Sequence, residues 1–456
     1  MPSRTHKDAI HKHAIARQQS IGEGASPPLA STRGSIKLDA LIGKQTEEAP
    51  MTHFTKASTL ALLPAAVFAT GLITAPAHAQ DGVIRIGVTL RMVVENGLKY
   101  GQMAKDELEA VNAAGGINGK KIDVILLDDE CKPDKGIANV NRFIHQHKVH
   151  LVLGSTCSSV SLPMVDVTAK EEVPQIVPHS TNANITKKGS AWVFRTSVSE
   201  RFYAAIHAKY LSEKVGKKVA YLYTTDGAAI GFAKDYMAFM RRTYQTEPLY
   251  EAQMQETDLD FRSHLLKIKS LNPEVLAIGG QLDAIARITQ QALEVGIPSR
   301  VRRVAASAAS NAPVPELAGD AVVGLTFAAA FSCKDERPVA QQFVKMVQEK
   351  YKVRCPDHDF SQAYETAQLI KLALKNAKLE LTEASLKADR TAIRDALASI
   401  QNYSGLASGP INFCADPTPQ CRDGNRTGIL VEYTKGGKDY DMNVLARVSF
   451  EPDFGL

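Results

Sequence analysis

The segment Val83-Ile-Arg-Ile-Gly-Val-Thr89 is a short run of apolar, largely β-branched residues that ends in a polar one. Such a run predicts a strand that is buried on both faces of a sheet. Between residues 101 and 111, small and apolar residues recur at steps of three and four, which predicts an amphipathic helix that Gly115-Gly116 ends. Because another apolar run follows at 122–127, this part of the chain predicts the strand, helix and strand of a parallel sheet.

The same alternation continues along the chain. Further strands are predicted at 149–153, 175–177, 219–223, 275–278, 322–327, 409–413 and 428–433, and further helices at 136–147, 159–172, 201–214, 231–244, 261–270, 284–295, 338–350, 362–375 and 391–400. The first series ends near residue 177 and a second series begins near residue 201. We therefore predict an α/β fold with two Rossmann-like lobes, each built on a parallel sheet.

The first 79 residues differ in composition from the rest. Met51 opens a short polar stretch, an apolar run of 17 residues follows at 57–73, and Ala77-His78-Ala79 ends it. The run is short and is broken by proline and glycine, so the pattern predicts a secretory signal peptide at 51–79 rather than a membrane span. Residues 1–50 are polar and lack apolar periodicity. We interpret them as a non-native N-terminal extension, with a disordered tail as the alternative.

The composition is that of a globular protein. The chain has 456 residues, of which 44% are hydrophobic and 23% are charged, and its net charge is +5. Cleavage after Ala79 removes 8 Lys/Arg and 5 Asp/Glu, so it leaves 377 residues with a net charge of +2. That length suffices for two domains. The small charge argues against a nucleic-acid partner.

All six cysteines follow the predicted cleavage site. An even count in an exported chain favours disulfides. Six cysteines allow fifteen pairings, but the separations of 26, 22 and 7 residues suggest three local bridges: Cys131 with Cys157, Cys333 with Cys355, and Cys414 with Cys421. Since no two cysteines form a Cys-x-x-Cys motif, a zinc site or a redox-active site is disfavoured.

The sequence contains no recognisable catalytic motif. A Gly-x-Ser-x-Gly elbow, a His-Glu-x-x-His pair, a Walker loop and a Gly-x-Gly-x-x-Gly turn after a strand are all missing. His145, His147 and His150 are closely spaced, but they lie where a helix runs into a strand, and we expect them to be exposed to solvent rather than to bind a metal. No enzymatic activity, cofactor or metal is therefore expected.

Four hydroxyl groups follow the strand in His150-Leu-Val-Leu-Gly-Ser-Thr-Cys-Ser-Ser159. The helix that begins there offers free N–H groups and the positive end of its dipole. Ser155, Thr156, Ser158 and Ser159 add further donors. One hydroxyl would suffice to cap the helix, so the cluster favours a binding site for a carboxylate.

A second polar cluster follows the next strand, in Gln175-Ile-Val-Pro-His-Ser-Thr-Asn182. In an open α/β sheet, ligands bind beyond the carboxyl ends of the strands. Ser180 and Thr181 are therefore expected to face the same crevice as Ser158. Formation of a turn is the alternative role of this segment, above all for Asn182.

These segments together resemble a known family, the periplasmic leucine/isoleucine/valine-binding proteins of ABC importers. The resemblance covers about residues 82–450 and is most specific in Ala-Gly-Gly-Ile-Asn-Gly, residues 114–119, and in the spacing of Cys131 and Cys157. It implies a type I periplasmic binding protein, whose two lobes are joined by crossover hinge segments and close over a ligand. Lobe 1 would comprise 80–200 and about 334–408, and lobe 2 would comprise 201–333 and about 409–456.

The resemblance also implies roles for single residues. The serine that binds the ligand carboxylate in that family falls on Ser158, and the threonine that contacts both ligand ends falls on Thr181. Ser180 would supply backbone contacts. The bridge between Cys131 and Cys157 would lie beside the ligand.

At other positions the sequence departs from the family pattern. The acid that pairs with the ligand ammonium is replaced by Ser307, and the two aromatic residues of the crevice are replaced by Gln281, which precedes Leu282, and by a residue near Asn96. A buried ammonium without a partner costs several kcal/mol, roughly, so the missing acid is important.

Two explanations of the missing acid remain open. Either Asp226 or Asp283, each of which follows a predicted strand, takes its place, or the ligand is an aromatic or aliphatic carboxylate or an amide without an α-ammonium. Arg91, near the end of the first strand, suits a second carboxylate, although a solvated arginine is the commoner case.

The expected function is a periplasmic receptor that binds an amino acid or another small carboxylate reversibly, acts as a monomer, and delivers the ligand to the membrane permease of an ABC transporter. The permease follows wholly from the resemblance. One rival is a ligand sensor that works without a transporter. The other rival is an enzyme with an unusual site, for which Asp226, Asp283 and His179 are the candidate groups.

Overall fold

The structure is a computed structural model that describes residues 82–93, 95–188, 190–311, 313–407, 409–436 and 439–450. All of them belong to one compact unit, Thr74–Leu456. The predicted extension at 1–50 and the predicted signal peptide at 51–79 lie outside the described residues. In the described ranges, no helix combines the length and the apolar character needed to cross a bilayer.

The first sheet is entirely parallel. Its strands are β1 (Val83–Leu90), β2 (Lys121–Asp128), β3 (Leu151–Leu153), β4 (Gln175–Val177) and β5 (Val193–Arg195), in the order β2-β1-β3-β4-β5. The helices between them are α1 (Glu95–Glu109), α2 (Pro133–Asn141), α3 (Ser158–Lys170) and α4 (Asn184–Lys187). Short helical turns extend α1 and α2, at Ala110–Ala114 and Arg142–Gln146.

The second sheet is parallel except at one edge. It contains β6 (Val219–Thr224), β7 (Tyr250–Met254), β8 (Val275–Gly279), β9 (Arg302–Ala305), β10 (Thr326–Ala329), β11 (Thr427–Gly436) and β12 (Asp439–Ser449), in the order β12-β11-β10-β9-β8-β6-β7. The strands β11 and β12 are antiparallel and close the edge next to β10. The helices that pack on this sheet include α5 (Glu200–Lys214), α6 (Gly227–Phe239), α7 (Arg262–Leu271), α8 (Leu282–Glu294) and α9 (Pro313–Ala318).

The last helices return to the first sheet. They are α10 (Pro338–Tyr351), α11 (His358–Asn376) and α12 (Leu386–Ala398), and a short α13 (Pro419–Arg422) follows them. Their apolar faces share one cluster with β1, because Phe343, Phe360 and Ile370 pack with Ile84 and Ile86. The second sheet has its own cluster, centred on residues such as Leu222 and Ile278. Two separate cores confirm the prediction of two α/β lobes.

Three segments carry the chain between the sheets, at 196–199, 330–337 and 423–426. A buried ion pair ties the end of β5 to the third segment, because Arg195 Nη2 lies 2.6 Å from Asp423 Oδ1 and both side chains are at most 1% exposed. Arg201 Nη2 lies 3.2 Å from the other oxygen of Asp423. The crossover region is thus held by charges that water does not screen.

The predicted strand at 409–413 is wrong. Only an isolated bridge joins Ile411 to Tyr403, and Ile411 and Phe413 pack in the core of the first sheet. The chain rejoins the second sheet only at Thr427. The segment from about residue 409, which was predicted to begin lobe 2, therefore still packs with the first core. The run itself begins with Gly409 and Pro410, which leave it too few residues for a ladder.

Four strands were absent from the predictions, namely β5, β7, β9 and β12. β5 has only three residues. β9 begins with Arg302-Arg303, and the guanidinium of Arg303 donates to the carbonyl oxygens of Ala321 and Val323. The guanidinium of such an arginine forms hydrogen bonds while its aliphatic stem packs against its neighbours. The segment therefore lacks the alternation of apolar and polar residues by which a strand is recognised in a sequence.

Candidate ligand-binding site

Each sheet reverses its strand order at one place, and the two places lie at the predicted crevice. In the first sheet, β1 and β3 are neighbours, and Arg91 and Thr156 follow them. The backbone N–H of Arg91 donates to the Thr156 hydroxyl at 3.2 Å. In the second sheet, β6 and β8 are neighbours, and the Gln281 amide after β8 donates to Asp226 after β6 at 3.2 Å. Such switch points are where open α/β sheets bind ligands.

A cavity of about 150 Å³ lies between these two edges. Its lining comes from both sheets and comprises Arg91, Asn96, Gly97, Tyr100, Thr156, Gln281, Leu282, Asn311, Pro313, Glu316, Asp357 and Asp359. Four of the sequence candidates, Arg91, Asn96, Thr156 and Gln281, are therefore brought together. Only two of the lining side chains, Leu282 and Pro313, are aliphatic, so the cavity suits a polar group.

Two charged groups of this cavity are of opposite sign. The Nε of Arg91 is buried and makes no hydrogen bond within the described residues. Burial raises the pKa of Asp359 to about 7, and the charge of Arg91 lowers it in part. Nearby, the Thr156 hydroxyl lies 3.4 Å from His179 Nδ1. The cavity can therefore present both a cation and a proton donor to a ligand.

Ser158 and Thr181 meet as the sequence predicts. Ser158 is the first residue of α3, and its hydroxyl oxygen accepts hydrogen bonds from the backbone N–H groups of Thr181 and Asn182, each at 3.2 Å. The Ser180 side chain is turned inward, where its hydroxyl donates to the carbonyl oxygen of Ser155 at 2.9 Å. Ser180 thus holds the loop from within, and the hydroxyl groups of Ser158 and Thr181 lie at a helix start, where they can donate.

The two lobes touch beside this cluster. The side-chain amide of Asn182 donates to the carbonyl oxygen of Gly227, at the start of α6, at 2.5 Å. A β-carbon at Gly227 would lie 2.9 Å from the backbone nitrogen of Ser159. Asn182 therefore contacts the opposite lobe, in addition to the turn-forming bond that it accepts from Asn184 N.

The two acids proposed from the sequence as ammonium partners occupy other positions. Asp226 is the N-cap of α6, where its carboxylate accepts from the N–H groups of Ala228 and Ala229 and from the Thr224 hydroxyl. Its oxygens are therefore already bonded. Asp283 lies in the first turn of α8 and is exposed, outside the lining of the cavity.

Ser307, at the position of the missing acid, contacts another acid instead. It is 5% exposed, and its hydroxyl donates to Glu200 Oε2 at 3.4 Å. Glu200 is completely buried at the start of α5, and burial raises its pKa to about 8. The sequence analysis did not identify Glu200. Its only sequence signal is a carboxylate next to Ser199, at the start of a predicted helix.

The three closely spaced histidines behave differently from one another. His145 is exposed and His147 is partly exposed, whereas His150 is buried and its Nδ1 accepts from the backbone N–H of Arg85 at 3.0 Å. The prediction of solvent exposure is thus wrong for His150. No group of three His, Cys, Asp or Glu side chains arranged to hold a metal is found in the described part of the chain.

The structure contains the three disulfides that the separations predict, and no free cysteine occurs in the described ranges. The bridge from Cys131 to Cys157 is adjacent to the site, because Cys157 is the N-cap residue of α3 and immediately precedes Ser158. It ties the loop after β2 to the loop after β3. The carboxyl ends of these strands are thereby fixed to each other.

Comparisons with known proteins agree with this architecture. Residues 94–438 match a family model described as periplasmic binding protein. An amino acid binding protein of Pseudomonas aeruginosa is 31% identical over 205 residues, which are 45% of this chain and 54% of that protein. The chain thus spans about half the length of that relative.

Solved structures resemble the chain over a larger share. A branched-chain amino acid transporter substrate-binding protein of Streptococcus pneumoniae, in complex with isoleucine, has a TM-score of 0.67 and 25% identity, covering 79% of this chain and 99% of that one. A solute-binding protein of R. palustris, in complex with 4-hydroxybenzoate, has a TM-score of 0.70 and 19% identity, covering 82% and 99%. The chain belongs to the periplasmic binding protein family, and within it to the type represented by the leucine/isoleucine/valine-binding proteins.

Proposed function

We propose that this protein is the receptor of an ABC importer, which binds a small carboxylate-bearing solute between its lobes and delivers it to a membrane permease. Members of its family are solute-binding proteins rather than enzymes, and the family implies a periplasmic location. The observation that carries the proposal is the meeting of two switch points, one from each sheet, at the cavity lined by Thr156 and Gln281, where Gly227 also approaches Ser158. No step of chemistry is needed for reversible capture.

The ligand carboxylate would lie at the start of α3. There, the backbone N–H of Thr181 donates to the Ser158 hydroxyl oxygen at 3.2 Å, which leaves the hydroxyl hydrogen of Ser158 to donate to the carboxylate. The N–H groups at the beginning of α3 and its dipole favour a negative charge at this end. The remainder of the ligand would extend towards the polar cavity beside Arg91 and Gln281.

The domain bounds and the export signal complete this proposal. Lobe 1 would comprise 80–200 and about 334–408 together with the segment around Ile411, and lobe 2 would comprise 201–333 and the strands from Thr427 onward. A signal peptide at 51–79 would direct the chain to the periplasm, where the protein would act as a monomer. The three disulfides are consistent with that oxidising compartment.

A thermal-shift screen tests the binding function. The purified protein is heated with amino acids, aromatic acids, dicarboxylates and amides, because a ligand that binds only the folded state raises the melting temperature. We expect at least one carboxylate to raise it and the variant Ser158→Ala/Thr181→Ala to abolish the shift. Thr168→Ala is the control, since Thr168 lies in the same helix but donates to Gln175, away from the crevice. Unchanged affinity in the double variant contradicts the site.

A carboxylate without an ammonium is the second candidate ligand class. It is favoured by the serine at position 307, where the resemblance places an acid. The R. palustris structure shows that a protein with this fold accommodates 4-hydroxybenzoate. The same screen separates the two classes, because it includes aromatic acids beside amino acids.

A further inference from the structure

Glu200 lies where the two lobes meet. It is the first residue of α5, directly after the crossover segment at 196–199, and its side chain is completely buried. Its backbone N–H donates to the carbonyl oxygen of Thr181 at 2.7 Å, on the side of the first sheet. Its carboxylate accepts from Ser307, on the side of the second sheet. The carboxylate is therefore placed at the crevice by contacts to both lobes.

One oxygen of this carboxylate is left without a donor. Within the described residues, Glu200 Oε1 and Thr181 Oγ1 are both buried and neither makes a well-aligned hydrogen bond, although the Thr181 hydroxyl lies close enough to lower the pKa of Glu200. A buried polar atom without a partner costs about 1–3 kcal/mol, so such atoms are rare. Because ionised Glu200 can only accept, the missing partner is a group that carries several N–H or O–H donors.

The missing partner is also a cation. The charges that act most strongly on Glu200 are two acids, Asp235 and Asp226, and both oppose its ionisation. The contrast with Asp423 is informative, because that buried carboxylate has Arg195 and Arg201 beside it. A buried carboxylate is normally paired with a cation or protonated. Among the described residues, the charges that act on Glu200 include no cation, so its carboxylate stays protonated at neutral pH until a cation reaches it.

We propose that Glu200 binds the ammonium group of the ligand and replaces the acid that the resemblance places at position 307. Thr181 then contacts the ammonium through its hydroxyl, while its N–H holds the Ser158 hydroxyl that donates to the carboxylate. Ser307 supports the acid from the second lobe instead of providing the charge. The inference rests on the proposed function and narrows the ligand to an α-amino acid.

Matched ligands test this assignment on the unchanged protein. Each of the twenty L-amino acids is measured by thermal shift and calorimetry beside its N-acetyl derivative and its deaminated analogue, together with benzoates, dicarboxylates and amides. We expect an L-amino acid to bind at least 100-fold more tightly than its N-acetyl and deaminated counterparts. Equal or tighter binding of a deaminated analogue overturns the role of Glu200 but leaves the receptor function intact. Binding of no compound in the panel contradicts the receptor function itself.

Variants of Glu200 test the same point from the protein side. Glu200→Gln should lose at least 100-fold in affinity for the best amino acid. Glu365→Gln is the matched control, because Glu365 is also buried with a raised pKa but accepts from the backbone N–H of Ala407, away from the crevice. Retained affinity in Glu200→Gln, or an equal loss in Glu365→Gln, overturns the assignment.

A compensating variant distinguishes the charge from a structural role. Since the Ser307 hydroxyl contacts Glu200, the double variant Glu200→Gln/Ser307→Glu returns a carboxylate to the same place from the second lobe. We expect the double variant to bind the best amino acid at least tenfold more tightly than Glu200→Gln does. Equal affinity of the two variants counts against the proposal. If Glu200→Gln does not fold, the comparison of matched ligands on the unchanged protein decides.

Binding should also release protons. Burial raises the pKa of Glu200 to about 8 in the unliganded protein, and Asp235 and Asp226 add to the increase, while Thr181 and Ser307 lower it. An ammonium lowers this pKa, so below pH 8 the carboxylate loses its proton on binding and the affinity rises with pH. Calorimetry in two buffers of different ionisation enthalpy measures the release. Proton uptake, or an affinity independent of pH between 6 and 8, contradicts the pairing.

Discussion

The side-chain amide of Asn182 donates to the backbone carbonyl oxygen of Gly227 at 2.5 Å, and this bond joins the edges of the two lobes. The loop after β4 and the start of α6 meet here, and Gly227 has no side chain that would separate them. The absence of a β-carbon permits the approach, because a β-carbon would lie 2.9 Å from Ser159 N and 3.2 Å from the Ser158 β-carbon. Residue 227 thus sets how closely the two lobes approach each other at this contact.

Gly227→Ala should therefore weaken binding without weakening the fold. The added methyl group is pressed against the backbone of Ser159, which cannot move aside without shifting α3, whereas alanine in a helix is intrinsically favourable. We expect at least a tenfold loss in affinity by calorimetry and an unchanged or higher melting temperature of the unliganded protein. Gly101→Ala is the control, since there the β-carbon meets the flexible side chain of Met92 and, at an ordinary contact distance, the end of Leu126. Unchanged affinity in Gly227→Ala would show that the lobes do not close at this contact.

Asp423→Asn should destabilise the crossover region strongly. The change leaves Arg195, which is completely buried, without its counter-charge, and removing one partner of a buried pair costs about 3–5 kcal/mol. Asp166→Asn is the control, because its pair with Lys188 is exposed and such a pair contributes about 0–1 kcal/mol. Urea unfolding at pH 7 measures the loss in the free energy of unfolding for both variants. Similar losses in the two variants would contradict a structural role for the buried pair.

The disulfides should differ in their contribution to stability. The bridge between Cys131 and Cys157 spans 26 residues and that between Cys414 and Cys421 spans 7. Constraint of the unfolded chain predicts a loss of about 3–4 kcal/mol for the first when both cysteines become serine, and of about 2–2.5 kcal/mol for the second. Only the first pair adjoins Ser158, so only its removal should also reduce ligand affinity. Denaturant titrations and calorimetry on both variants test the two rankings, and a reversed order in either would reject this account.

Local patterns explain why most of the fold could be predicted from the sequence. The strands β4 and β6 and the helix α5 have continuous apolar runs or clear periodicity, and the predicted segments agree with them to within one residue at each end. The run at 409–413 looked like a strand in isolation, but its side chains pack in a core whose other members lie far away in the chain. Local pattern alone does not show which core a short run will join.

The proximity of Ser158 and Thr181 could be predicted because these residues follow consecutive strands of one sheet. Ser158 and Thr181 follow β3 and β4, which are neighbours, so their meeting is a consequence of parallel topology. Asp226 carried the signal of an N-cap, an aspartate before Gly227 and an apolar helix, and it has that role; its pairing with a ligand ammonium stays a prediction. Glu200 was missed because its partner Ser307 is 107 residues away and belongs to the other sheet.

His207 should make the fold sensitive to acid. It is completely buried in α5, with its ring 5.6 Å from that of Phe232 between centroids, and burial lowers its pKa to about 3. A lowered folded-state pKa means that only the unfolded chain takes up the proton as the pH falls below 6.5, so stability is lost on acidification. Between pH 6.5 and pH 5 this amounts to about 2 kcal/mol for one histidine.

His207→Phe should remove that part of the acid sensitivity. The ring is replaced by one of similar shape that does not titrate, so the stability lost between pH 7 and pH 5 should shrink by about 2 kcal/mol relative to the unchanged protein. The rest of the acid sensitivity should persist, because three other histidines are also buried with lowered pKa values, namely His150, His179 and His358. Urea unfolding at the two pH values gives the difference directly. An equal loss in both proteins would mean that His207 is protonated in the folded state, with water or a rearranged neighbour as its partner.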